Sequence, residues 1–176
     1  MNSPARNAVK LDVLVESGLW IEPGKIKTLL RRAIGQAAAT MSTRGVEIAI
    51  VLTDDSAIRL LNRQWRGIDA ATNVLSFPME NRGEHRPFIG DIVLARQTIA
   101  REASSERKPF AHHLAHLAVH GFLHLLGYDH QNHKDATVME RLERRILRRL
   151  AIPDPYGPIL AARRASCAKS RQNLTH

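Results

Sequence analysis

Cysteine is almost absent from this chain of 176 residues. The lone thiol, Cys167, excludes an internal disulfide and every zinc module built on paired cysteines, so any metal ion must rest on histidine or carboxylate. Nor does any apolar run approach the roughly 18 residues that cross a bilayer, which excludes a membrane-spanning helix. The stretch MNSPARNAVKLDVLVESG lacks the ordered basic, apolar and small-residue segments of a secretory leader, because Asp12 and Glu16 interrupt its only hydrophobic stretch. The expected compartment is therefore the cytoplasm, with no membrane partner. Acidic residues are missing from Tyr156 onward, where Arg163, Arg164, Lys169 and Arg171 supply nearly half of the net charge of +9. Such a balance attracts polyanions such as RNA.

The length suits one domain. We expect residues 1–155 to form a single unit and 156–176 to be a basic, flexible tail. AVKLDVLV (8–15), VEIAIVLT (46–53), NVLSFP (73–78) and GDIVLA (90–95) read as strands, the last two joined by the polar loop ENRGEHRP. Pro23 opens a helix with Ile26, Leu29, Leu30, Ala33, Ile34 and Ala37 on one face, which Gly45 is expected to end. Thr53, Asp54 and Asp55 offer caps for a helix over 56–66. The second half reads as three helices: from Ile99 to about Glu106, from Pro109, and from Asp135, the last with Val138, Leu142, Ile146 and Leu150 as its core stripe and an Arg-rich solvated face. Strands and helices in mixed order predict an α+β fold, a small mixed sheet of about four strands covered by helices.

VHGFLHLLGYDH (119–130) carries the chemistry. Residues four apart share a helix face, so His120 and His124 can hold one ion. Gly127 can end the helix in a left-handed turn that brings His130 back over that face. The pattern H-x3-H-x2-G-x2-H is zincin-like spacing, and three histidines suit a catalytic Zn²⁺ whose fourth position stays open to water. One Zn²⁺ per chain is expected. His116 shares the face of His120, but a ladder of His116, His120 and His124 spans two turns and converges poorly. His133 and Asp129 are candidates to orient a ligand or to face water. His85, His112 and His113 are expected to be ordinary polar residues.

A zinc peptidase would keep a glutamate where this chain has Gly121. Two accounts stand: tight packing of helix on sheet, or space cleared beside the metal for a bulky substrate. A metal can polarise a phosphoryl oxygen without a neighbouring carboxylate, and a cation can clamp the charge that develops. Arg66, at the end of the predicted helix before GIDAATNVLSFP, is the candidate cation. Arg66 and His120 are thus the candidate catalytic positions. The residues leave open whether water or the ribose 2′-hydroxyl attacks phosphorus.

LNRQWRGIDAATNVLSFP (61–78), IGDIVLA (89–95) and HLAVHGFLHLLGYDH (116–130), followed by Met139 and Glu143, resemble the YbeY family of bacterial endoribonucleases and ribosomal RNA maturation factors. The resemblance runs in the same order from about residue 8 to Tyr156. It implies an α+β fold, zinc on His120, His124 and His130, and single-strand-specific RNA cleavage, with Arg66 as the family's functional arginine. It further implies maturation of the 3′ end of small-subunit rRNA and ribosome quality control, with the small ribosomal subunit and the ribosome as partners. Trp65 stands where the family usually has Tyr, and RGIDAATN lacks the usual Lys and Pro. The rival readings are a metal-stabilised assembly factor without catalysis and, opposed by Gly121, a metallopeptidase.

Overall fold

Capping and strand-forming residues divide the chain into four strands and five helices over residues 9–79 and 87–157, which this computed structural model describes. In order they are β1 (Lys10–Val15), α1 (Pro23–Met41), β2 (Glu47–Thr53), α2 (Asp55–Arg66), β3 (Val74–Pro78), β4 (Phe88–Ala95), α3 (Arg96–Ser105), α4 (Phe110–Leu125) and α5 (His133–Arg149). The expected α+β architecture is present. Most of the loop ENRGEHRP, with His85, and the tail cations from Arg163 onward lie outside the described residues.

The sheet order is β1-β2-β4-β3. β2 pairs in parallel with both β1 and β4, while β3 runs antiparallel to β4 and forms one edge. Crossovers through helices are what parallel neighbours require, and α1 supplies one between β1 and β2. The register of β2 on β4 slips between Glu47 and Ile48, which face Phe88 and Gly90. Gly90 has φ +142, and a Cβ there would lie 2.2 Å from the Phe77 carbonyl oxygen, so no other residue fits this bulge.

One face of the sheet buries the main core. Leu30 and Ile34 of α1, Ile50 and Ile92 of the sheet, Val119 and Phe122 of α4, and Ile146 and Leu147 of α5 share one apolar cluster. On the opposite face α2 packs on the sheet, where Ile58 meets Leu75, Val93 and Ala95. Among the described residues no helix is long and apolar enough to cross a membrane.

Three local expectations are corrected. α1 ends at Ser42, not at Gly45: Ser42 takes a left-handed conformation (φ 53) and its N–H reaches the Ala38 and Ala39 carbonyls, while Gly45 turns the chain into β2. Asp54 alone caps α2, accepting from Ala57 N at 3.0 Å. Asp55 instead binds Thr98 and Arg101 of α3, and the Thr53 carbonyl accepts the buried Trp20 indole N–H at 2.8 Å. The core stripe of α5 is Met139, Glu143, Ile146, Leu147 and Leu150; Val138, expected inside, is 47% exposed. A buried carboxylate has displaced an aliphatic residue from the stripe. The partner of that carboxylate explains why.

Candidate metal centre

α4 is apolar on nearly every side, as a helix packed between sheet and helices must be. It ends where Leu126 caps it and Gly127 takes φ +94, with Gly127 N bonded to the His124 carbonyl and Tyr128 N to that of Leu123. This reversal lets the chain fold back. The ring centroids of His120, His124 and His130 lie 4.6, 5.4 and 5.0 Å apart. One nitrogen from each falls within 4.8 Å of the others, a span that a single ion can bridge. The three histidines singled out in the sequence therefore meet at one point.

The donor set fits a metal. Glu143, fully buried on α5, accepts from His120 Nδ1 at 2.7 Å. That bond places the proton on Nδ1 and leaves the Nε2 lone pair facing His124 Nε2, 3.0 Å away. Burial first, then the neighbouring His120 and His130 rings, hold His124 below the ordinary histidine pKa, against a hydrogen bond to the Tyr128 backbone. Neutral imidazoles with converging lone pairs suit a borderline-soft cation such as Zn²⁺.

Glu143 is the residue that periodicity misses. Burial alone would raise its pKa, but the imidazoles of His116 and His120 and the Tyr156 hydroxyl outweigh this and hold it at about 2. Tyr156, at the expected start of the tail, donates to Glu143 Oε2 and packs edge-on against His116. Burial and this acceptor push the Tyr156 pKa up. His116 Nε2 stands 3.4 Å from Glu143 Oε1 without hydrogen-bond alignment, so it supports the carboxylate and stays out of the triad. The sequence signal for Glu143 was its place beside Met139, after the histidine segment.

The triad forms one wall of a cleft of about 650 Å³. Gly127 to Gln131 continue that wall, while Arg66, Thr72, Asn73, Val74, Ser76 and Pro78 form the other. Arg66 is exposed, at the last position of α2, and has no ion pair among the described residues. Asn73 is fixed: its Nδ2 donates to both Glu102 oxygens at 3.1 and 2.9 Å, and Val74 N donates to its Oδ1. Glu102 is held in turn by buried His113 at 2.7 Å, so His113 is a structural polar residue as expected. Asp129 caps the His130 N–H at 2.7 Å and shapes the loop, and His133 is exposed at the start of α5.

Gly121 is a packing glycine. A Cβ there would lie 2.9 Å from Ile92 Cγ2 and 3.1 Å from Ser76 Oγ, so α4 sits against the sheet at a distance no other residue permits without movement. The space it saves is taken by the sheet. Of the two accounts of the absent glutamate, the structure selects close helix-sheet contact.

Comparison with known proteins agrees with these features. The family model described as Endoribonuclease YbeY matches residues 16–151. Endoribonuclease YbeY of Nitrobacter hamburgensis is 50% identical over 155 residues, spanning 84% of this chain and 82% of that protein. The protein of the same name from Bradyrhizobium diazoefficiens is 49% identical over 159 residues, spanning 86% and 87%. A solution structure of a Thermotoga maritima protein superposes with a TM-score of 0.52 at 21% identity, covering 84% of this chain and 99% of that one, a likeness of fold.

Proposed function

The chain belongs to the YbeY endoribonuclease family, and from that premise we propose that it is a metal-dependent endoribonuclease cutting single-stranded RNA in the cleft between α4 and β3. The observation that carries this reading is that three converging imidazoles and an arginine with no ion pair among the described residues line one cleft. His120, His124 and His130 would hold one Zn²⁺, which when bound supplies Lewis-acid polarisation of a phosphoryl oxygen. Arg66 binds the phosphate from the opposite wall and stabilises negative charge that grows in the transition state. Glu143 keeps His120 in the tautomer that offers Nε2 to the ion. The fixed Asn73 and the start of β3 keep the facing wall in place.

The position after His120 offers no base, and a side chain there would have to displace Ile92 and Ser76, which disfavours peptide hydrolysis. The physiological target in this reading is the 3′ end of small-subunit rRNA, with the small ribosomal subunit as partner in a cytoplasmic maturation and quality-control step. The net charge of +9 supports a polyanionic partner. Metal analysis of the purified protein beside a single-stranded RNA cleavage assay tests the proposal. His124→Ala should lose both metal and cleavage, whereas Arg66→Ala should keep its metal and lose about 10²-fold or more in rate. Wild-type rate in Arg66→Ala removes the arginine from the mechanism; full cleavage by metal-free His124→Ala removes the metal.

A further inference from the structure

Trp65 is an aromatic ring that the fold holds in place and leaves uncovered. On α2 it extends the inward stripe of Ile58, Leu61 and Asn62, four residues beyond Leu61 and three beyond Asn62. The sheet beneath that stripe ends at its edge strand, β3. Trp65 is consequently 65% exposed, although tryptophan is ordinarily among the more buried side chains. One aromatic contact orients it, the edge-on packing against Phe77 with ring centroids 5.8 Å apart and planes at 64°.

Neither ring lines the cleft itself. Phe77 alternates with Ser76 and Pro78, which line the cleft, and so faces α2 across the edge strand, while Trp65 directly precedes Arg66, which lines the cleft. Arg63 and Arg66 have no ion pair among the described residues, so unpaired guanidinium groups accompany the exposed ring on the last turn of α2. An oriented aromatic surface beside free cations has the chemistry for a nucleobase on a phosphate backbone, the ring taking the base and the cations the charge. An apolar protein surface would gain nothing from those cations.

We infer that Trp65 is a stacking shelf for one base of single-stranded RNA, next to the phosphate that Arg66 holds in the cleft. This rests on the RNA-cleavage reading proposed above. Because stacking tolerates any base but rewards a larger ring, the shelf favours adenine over uracil beside the cleavage point.

The chain has two tryptophans, and Trp20 is buried with its indole N–H on the Thr53 carbonyl, so emission that responds to ligand reports on Trp65. The metal-loaded full chain is titrated with single-stranded oligoadenylate and with an abasic oligomer carrying the same number of phosphates, read by stopped flow before cleavage. Oligoadenylate should quench the wild type and the abasic oligomer should not. Trp65→Ala should bind oligoadenylate about tenfold more weakly while binding the abasic oligomer as the wild type does. Trp65→Phe, which keeps only Trp20, should show no quenching. Equal binding of both oligomers with Trp65 emission unchanged overturns the shelf and leaves RNA cleavage standing. Binding of neither oligomer overturns both.

Discussion

Replacing Gly121 by alanine sets two effects of known sign against each other. In a helix interior, alanine is favoured over glycine by about 1 kcal/mol, so an exposed site would gain stability. Here the added methyl falls 2.9 Å from Ile92 Cγ2 and 3.2 Å from Ile92 Cδ1, against a carbon-carbon optimum of about 3.5–4.0 Å. Ile92 is fully buried on β4, and its Cγ2 is fixed at a branched Cβ, so relief requires α4 or the strand to move. Overpacking of this kind costs about 1–3 kcal/mol, which exceeds the propensity gain. The expected net loss is about 1 kcal/mol, a fall in Tm of about 2–4 °C by thermal denaturation. In an Ile92→Ala background the methyl enters vacated space, so a double-mutant cycle should show that the penalty disappears. A Tm that rises on Gly121→Ala, or a penalty unchanged in the Ile92→Ala background, refutes the packing account of this glycine.

Glu143→Gln retains the size of the side chain but removes the negative acceptor behind His120, and metal affinity, measured by competition with a chelating dye, should fall about 10–100-fold. Unchanged affinity would mean that His120 needs no carboxylate. Asp55 has a lowered pKa: burial raises it, but the bonds from Arg101 and Thr98 prevail. A depressed carboxylate stabilises the fold above its unfolded pKa and loses that contribution as pH falls through its folded value, so Asp55→Asn should be less stable than wild type at neutral pH by about 1–2 kcal/mol, and the gap should narrow in acid. A gap that is constant with pH in denaturant titrations contradicts this.

What could be read from the sequence was local. His120 and His124 are one helical turn apart and Gly127 signals the reversal, so the triad follows from spacing within eleven consecutive residues, 120–130. The strands and the fold class came from alternation and β-branching in the same way. What escaped depended on partners far along the chain. Glu143 falls outside the aliphatic stripe that periodicity predicts for α5, and its reason to be buried comes from His120, 23 residues away, with His116 and Tyr156 beside it. Ser42 ended α1 because Thr43 and Ser42 found carbonyls there, although glycine three residues later is the commoner signal. Gly121 admitted two explanations until Ser76 and Ile92 were seen against it. The pairing of Asn73, Glu102 and His113 joins the residue before β3 to α3 and α4 and leaves no pattern in any one of the three segments.

The hydroxyl of Tyr156 on Glu143 also ties the chain beyond α5 to the metal centre. The family match closes at residue 151 and α5 at Arg149, and either would make a natural boundary for a shortened protein. Cutting there would take away a donor from a fully buried carboxylate and leave one oxygen of Glu143 unsatisfied. A shortened protein that keeps this support must therefore extend past α5 to include Tyr156, and a truncation or tag junction placed before that tyrosine would loosen His120 from behind.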